Sequence, residues 1–430
     1  MKIAHITAGA GHMYCGSCLR DTTLGAALRT AGHDLALLPV YTPTRTEEHE
    51  PDPPRVFLGG INVFLQEHFA LFRKIPKRFD RVLDNAALLR LVTRRGVSVE
   101  PAHLGHMTVS MLQGLDGPVR KEIEELVTFL AGEVRPEIVT LPNSLLISLA
   151  PAIKAALNVP ICCTLQGEDV FLDGLREPYR GEALALIRRH AESVDRFIAV
   201  SEFGAGEMAR CLGLDRERIT VVPLGIQFDG HEPNAGTAEP FTIGYLARVS
   251  PEKGLDVLCE AYRRLRSRGA LPPSRVVAAG YLMPEGRRLL AEVRKAMASA
   301  GLANEFTYVG EVDRQSKLAF LRSLSVFSLP AAKDDQKGLS VLEAMASGVP
   351  VVQPRRGAFI EIVEKTGGGV LVRPDDPDSL ADAILDLWQN PERRRALGEA
   401  AYAGVRAHYG ADVMLQTTLG VYESLLSSGA

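Results

Sequence analysis

The sequence predicts an α/β protein of two doubly wound domains facing a central cleft, and three observations carry that prediction. Strand-like runs alternate with helix-like patterns along most of the chain. The series breaks once, in the Gly-, Pro-, Asn- and Asp-containing stretch from Val221 to Pro240, and then resumes. A length of 430 residues suits two large α/β domains.

In the first half, KIAHIT leads into a glycine-rich loop and the helical segment CLRDTTLGAALRTAG, and DLALLPVY returns as a second strand. EIVTL, VPICCTL and RFIAVS follow, each ahead of polar or helical sequence. This is the order of βαβ units, hence a parallel sheet with helices on both faces. In the second half FTIGYLA, RVVAAGYL, FTYVG, VFSLP, VPVVQP and GGVLV read as short buried strands. The boundary falls near residue 235, which gives domains of 1–235 and 236–410. The tail 411–430, ADVMLQTTLGVYESLLSS at its heart, reads as a helix packing at the domain junction. Doubly wound domains bind ligands at the carboxyl ends of their strands, so the cleft is where chemistry is sought.

Composition excludes several classes. Lys plus Arg is 49 against 52 for Asp plus Glu, a net charge of −3, which gives no support to a nucleic-acid partner. Hydrophobic residues at 46% and charged residues at 23% fit a soluble globular chain. Six cysteines are too few for a disulfide scaffold, so a reducing compartment is expected. The start, MKIAHITAGAGHM, lacks the apolar core of a secretory signal, and no run approaches the roughly 18 apolar residues of a spanning helix. The expectation is a cytoplasmic protein, with any membrane contact peripheral and at the inner face. Between Glu67 and Arg95, eight basic residues outnumber three acidic ones and alternate with hydrophobic positions. Such a run suits an anionic membrane or a lipid-linked acceptor, and solvated helix faces would give the same count.

The strongest chemical signal is DDQKGLSVLEAMASGVPVVQP. Leu339, Leu342, Met345 and Ala346 recur at helical spacing, so a helix should run from near Gly338 to near Gly348. Its first N–H groups, around Gly338 and Leu339, form an anion site. Asp335 lies just before it and Glu343 inside it, two fixed acceptors suited to the paired hydroxyls of a ribose or hexose. Asp335 taken alone could merely complement the helix dipole. A second signal is GYLARVSPEKGLDVLCEAYRRL, in which Arg248 and Lys253 flank a turn at the end of a strand. Two such cations can straddle a diphosphate, or can simply be solvated.

Together, R-x4-K-G and an acid-x7-Glu helix followed by A-x-A-x-G-x-P-V-V resemble the retaining glycosyltransferases of family 4, also called group 1 transferases. The resemblance implies the GT-B fold of two Rossmann-like domains and a nucleotide-sugar donor. It implies that Arg248, Lys253 and Asp335 are catalytic, the two cations on the donor diphosphate and Asp335 on the donor hexose. Glu343 would bind the ribose, with Gly338 and Leu339 also on the donor. The family has glutamate at both ends of its E-x7-E motif, whereas this chain has Asp335 at the first. GAFIEIV resembles a later G-x-x-E-I-V element, with Glu361 opening a helix as a structural or base-pocket residue. CTLQGEDVF stands where family members have a histidine near the transferred sugar. Gln166 can hydrogen-bond sugar hydroxyls but is no acid or base near neutral pH.

The loop AGAGHMYCGS follows the first strand, where Gly9 and Gly11 would let an acceptor and a donor phosphate, respectively, approach the backbone. A tight turn is the plainer reading of that loop. Tyr14 breaks the G-x-G-x-x-G fingerprint and no acid ends strand two, which counts against a dinucleotide cofactor. Glu168 is a candidate acceptor ligand, and with Asp169 it could equally cap a helix. Cys15, Cys18, Cys162 and Cys163 read as separate thiols rather than a metal cage, and no metal or other cofactor is expected. The reading is a glycosyltransferase acting on a glycan, lipid-linked or small-molecule hydroxyl acceptor. Its rivals are a nucleotide-sugar epimerase, a glycan phosphorylase and a non-catalytic nucleotide-sugar-binding subunit.

Overall fold

The computed structural model describes residues 1–8, 16–40, 104–233, 239–269 and 273–428. Gly9, Gly11, Tyr14, Cys15, the basic run 67–95 and the expected boundary at 235 lie outside the described residues. The chain divides into two compact units. The first comprises Met1–Val200, Gly204–Val222 and Leu415–Ala430, and the second Ser201–Phe203 and Pro223–Met414.

In the first unit, β1 (Lys2–Thr7), β2 (Asp34–Pro39), β3 (Ile138–Leu141), β4 (Ile161–Leu165), β5 (Arg196–Ala199) and β6 (Ile219–Val221) form one sheet in the order β2-β1-β3-β4-β5-β6. Every pairing is parallel. All residues of β3 and β4 are buried, so these segments read as continuous apolar runs rather than as alternation. Five of the six strands match the runs read from sequence. β6 is the exception, because three residues paired on one side only, to β5, leave almost no apolar signature. Helix α1 (Gly16–Thr30) packs on this sheet through a buried polar set: His5 Nδ1 lies 2.6 Å from Thr140 Oγ1, and Asp21 lies between His5 and Arg20.

The second unit holds β7 (Phe241–Leu246), β8 (Ser274–Ala279), β9 (Phe306–Gly310), β10 (Val326–Phe327), β11 (Val351–Pro354) and β12 (Gly369–Val372), ordered β12-β11-β10-β7-β8-β9 and all parallel. The chain winds outward from β7 through β8 to β9, then returns to β10 on the other side of β7 and winds outward again. Strand order therefore reverses between β7 and β10, whose partners are Ile243 with Val326 and Gly244 with Phe327. In doubly wound sheets that reversal opens a crevice at the strands' carboxyl ends. Helices α2 (Leu255–Ser267), α3 (Arg314–Arg322), α4 (Leu339–Ala346) and α5 (Phe359–Thr366) cover the sheet. Helix α6 (Ala411–Ser428) starts in the second unit and from Leu415 belongs to the first, where Tyr422 is fully buried.

Candidate functional site

The two loops that flank the switch point carry most of the residues singled out from sequence. After β7 the chain runs through Arg248 and a single turn, Pro251–Lys253, before Gly254 opens α2. After β10 it runs through Asp335 to Gly338, which opens α4. Gly254 has φ of 71°, and a Cβ there would lie 1.9 Å from the Pro330 carbonyl oxygen. Only glycine lets the first loop press its backbone against the second. Ala332 N–H donates to the Glu252 carbonyl at 3.0 Å and stitches the same two loops together.

This contact places Lys253 Nζ 2.6 Å from Asp335 Oδ2, in a pair only 26% and 13% exposed. The other Asp335 oxygen accepts from the N–H groups of Lys337 and Gly338, each at 2.9 Å. Asp335 thus closes the turn that leads into α4 and holds Lys253 beside it. Gly338 takes φ of 62° to make the entry. The N–H groups of Leu339 and Ser340 have no acceptor among the described residues and mark the positive end of α4. A lysine, its paired carboxylate and open helix N–H groups at a sheet switch point have the chemistry to hold an anion.

Burial by itself would push the Asp335 carboxyl up. The Lys253 charge and the N–H groups of Gly338 and Lys337 outweigh it and hold the pKa at about 2, below its ordinary 3.8. The sign follows from linkage: the unfolded chain binds the proton first as pH falls, so the stabilisation is complete above pH 4 and is lost between about pH 4 and 2. The shift is worth about 2 kcal/mol. Asp335→Asn should therefore flatten the acid limb of a denaturant-midpoint-versus-pH curve in that window. An unchanged limb would contradict the Lys253–Asp335 pair.

Arg248 sits on the same loop but stays half exposed, its Nη2 2.5 Å from Glu252 Oε1. Glu343 lies farther along α4, is buried, and pairs through Oε1 with Lys317 Nζ of α3 at 2.7 Å. Around them His231 Nδ1 lies 2.8 Å from Ser347 Oγ. Burial pushes the His231 imidazole down to about 4 despite the pull of Glu343, so it is neutral near pH 7. Glu361 stands in the first turn of α5 and accepts from the N–H groups of Glu202 and Phe203, residues of this same unit. Ser201, just before the helix Glu202–Leu212, donates through Oγ to the Gln336 carbonyl at 2.7 Å.

Two expected ligands lie in the first unit, at the end of β4. Gln166 is buried, and its Nε2 donates to the Pro142 carbonyl at 3.0 Å, which fixes the amide orientation. Its Oε1 is then a buried acceptor with no partner among the described residues, a group fitted to a hydroxyl donor. Glu168 is committed to the backbone, accepting from Ser144 N–H at 2.9 Å and Gln166 N–H at 2.7 Å. It neither caps the short helix Asp169–Asp173 nor offers an idle carboxylate. Cys162 and Cys163 are buried within β4, where burial pushes both thiols up, so they are not thiolates at neutral pH. No helix among the described residues is long and apolar enough to cross a membrane.

Sequence reasoning missed Lys317 and Glu252. Lys317 is one cation on an amphipathic helix, and no spacing rule marks it. Glu252 sits inside the motif that was read, but its pairing with Arg248 depends on the shape of the turn.

Comparisons with known proteins identify the family and the fold. The family model described as "Glycosyl transferases group 1" matches residues 230–404, and that of "Glycosyltransferase Family 4" matches 94–229. A D-inositol 3-phosphate glycosyltransferase of Catenulispora acidiphila is 28% identical over 242 residues, spanning 54% of this chain and 56% of that protein. A GDP-mannose-dependent alpha-(1-6)-phosphatidylinositol monomannoside mannosyltransferase of Mycobacterium tuberculosis is 27% identical over 248 residues, 54% of this chain and 62% of its own. The alignments thus span little more than half the length of these relatives. The crystal structure of Anabaena HepE in complex with UDP superposes with a TM-score of 0.68 at 17% identity, covering 99% of this chain and 100% of that one. That likeness shows the GT-B fold. The chain belongs to the group 1 glycosyltransferases of family 4.

Proposed function

We propose that this protein moves a sugar from a nucleoside diphosphate donor to a hydroxyl acceptor (a glycan, a lipid-linked molecule or a small molecule), with retention at the anomeric carbon. The observation that carries the reading is the Lys253–Asp335 pair at the tip of α4, set at the switch point of the second unit. The names of the relatives support it, since one is GDP-mannose-dependent and the structural neighbour was crystallised with UDP.

Departure of the leaving group builds negative charge on the diphosphate. Lys253 has three N–H donors and Asp335 uses one of them, so a phosphate oxygen can take another without breaking the pair. Arg248 reaches the ligand by exchanging Glu252 for phosphate, and the N–H groups of Leu339 and Ser340 add the helix-tip contribution. These are protein charges sufficient for the leaving group, so the reading carries no metal: treatment with EDTA should leave the transfer rate unchanged. Glu343 takes the ribose. Asp335 has one acceptor site left, on Oδ2, for a hexose hydroxyl. In the first unit, the open Oε1 of Gln166 would accept from a sugar hydroxyl. The first unit would provide the acceptor site. Retention would follow a same-face route.

The test is a thermal-shift screen of nucleotide sugars followed by an acceptor panel. A ligand that binds only the folded chain raises its unfolding temperature, and a transferase then releases nucleoside diphosphate only when acceptor is added. No stabilisation by any nucleotide sugar would overturn the donor site, and saturable binding without turnover would make the protein a sugar-nucleotide-binding subunit.

A further inference from the structure

The cluster around Glu343 has a property the donor reading alone does not supply. Glu343 and Lys317 are each about nine-tenths buried, on different helices, with Oε1 and Nζ 2.7 Å apart. The second carboxylate oxygen, Oε2, has no hydrogen-bond partner among the described residues. The other basic groups near the pair are otherwise engaged. His231 is neutral, Arg322 pairs with Glu232, and Arg406 lies over the rings of Phe228 and Tyr402. Lys317 is therefore the counter-ion of Glu343.

Its own position is over-determined. Asp313 caps α3 by accepting from Ser316 N–H at 2.7 Å, and Arg314 Nη2 donates to the Asp229 carbonyl at 2.8 Å. These contacts fix the first turn of α3 against the segment that carries His231, with Lys317 one residue past the cap bond.

We infer that Lys317 is a positioning residue for ribose recognition: it anchors one oxygen of Glu343 so that the other faces the sugar diol, and so sets the preference for a ribonucleotide donor. The inference rests on the donor reading above. A carboxylate oxygen holds two acceptor sites, so Oε1 can keep Lys317 and still meet one ribose hydroxyl while Oε2 meets the other. Without Lys317 the buried carboxylate lacks a counter-charge and relieves that by rotating or by taking a proton. Either change removes the aligned pair of acceptors but leaves the diphosphate contacts of Lys253 and α4 in place.

The experiment is calorimetric titration of the full chain with UDP and GDP, their 2′-deoxy counterparts, and inorganic pyrophosphate. The wild-type protein should prefer the ribo form of the nucleotide it binds by about tenfold or more, the worth of a hydrogen bond to a charged group. In Lys317→Met that preference should fall to within about twofold of none, with pyrophosphate affinity unchanged, and Lys317→Arg should restore it in large part. Lys317→Gln keeps a donor at the site with less disturbance to packing; it should also lose most of the preference, and it decides the matter if the methionine variant does not fold. A folded Lys317→Met or Lys317→Gln protein that keeps the full preference overturns the inference. Equal binding of ribo and deoxy forms by the wild type overturns it together with the Glu343 assignment. Absence of any nucleotide binding by the wild type would instead sink the donor reading itself.

Discussion

Lys253→Met is expected to lower sugar transfer by about a hundredfold, the usual loss when one preorganised charge contact to a developing anion is removed. The same change should cost about 2 kcal/mol of folding stability, because it strands the largely buried Asp335 carboxylate without its partner. Arg248→Ala separates the two effects. Its pair with Glu252 is half exposed, so stability should hold within about 0.5 kcal/mol. Turnover should nonetheless drop at least about tenfold, as expected from the proposed contact of the guanidinium with the diphosphate. Steady-state kinetics and urea unfolding on both variants check this. Normal turnover in either would remove it from the donor site, and an unchanged midpoint for Lys253→Met would mean the pair does not hold the loops.

Gly254→Ala should be the most damaging single-methyl change in the second unit. The position combines a left-handed φ of 71° with a backbone carbonyl where the methyl would go, 1.9 Å away, and a carbonyl of a buried loop cannot swing aside cheaply. A loss above about 3 kcal/mol is expected, with nucleotide binding lost in step because Lys253 moves with the turn. Gly269 provides the control. Its φ is 70° but nothing lies within 4 Å, so Gly269→Ala should cost only about 1 kcal/mol of backbone strain. Equal penalties at both glycines would show that close packing of the two loops is not what Gly254 serves.

The fold was legible wherever burial is continuous. A strand such as ICCTL, covered on both faces, leaves an unbroken apolar run whose short length and β-branched flank argue for a strand. β6 escaped because one partner and three residues imprint too little on the sequence. The helix start at Gly338 was legible in the sequence, and the candidate residues Asp335, Glu343, Arg248 and Lys253 lie in two short stretches of it. Their pairings were not legible. Asp335 and Lys253 are 82 positions apart, Glu343 and Lys317 are 26 apart, and only the strand reversal and the helix packing bring them together. For the same reason the backbone bonds of Glu168 were not legible. Its neighbours in sequence suggest a helix cap or a ligand, while its carboxylate ties the loop after β3 to the end of β4.

The most direct test is a crystal structure of the protein with the nucleoside diphosphate that stabilises it best. The diphosphate should lie at the amino end of α4, within hydrogen-bond distance of Lys253 Nζ and the Leu339 N–H, with both ribose hydroxyls on Glu343. Density for the nucleotide at any other place, with Lys253 and Glu343 contacting only their protein partners, would contradict the account.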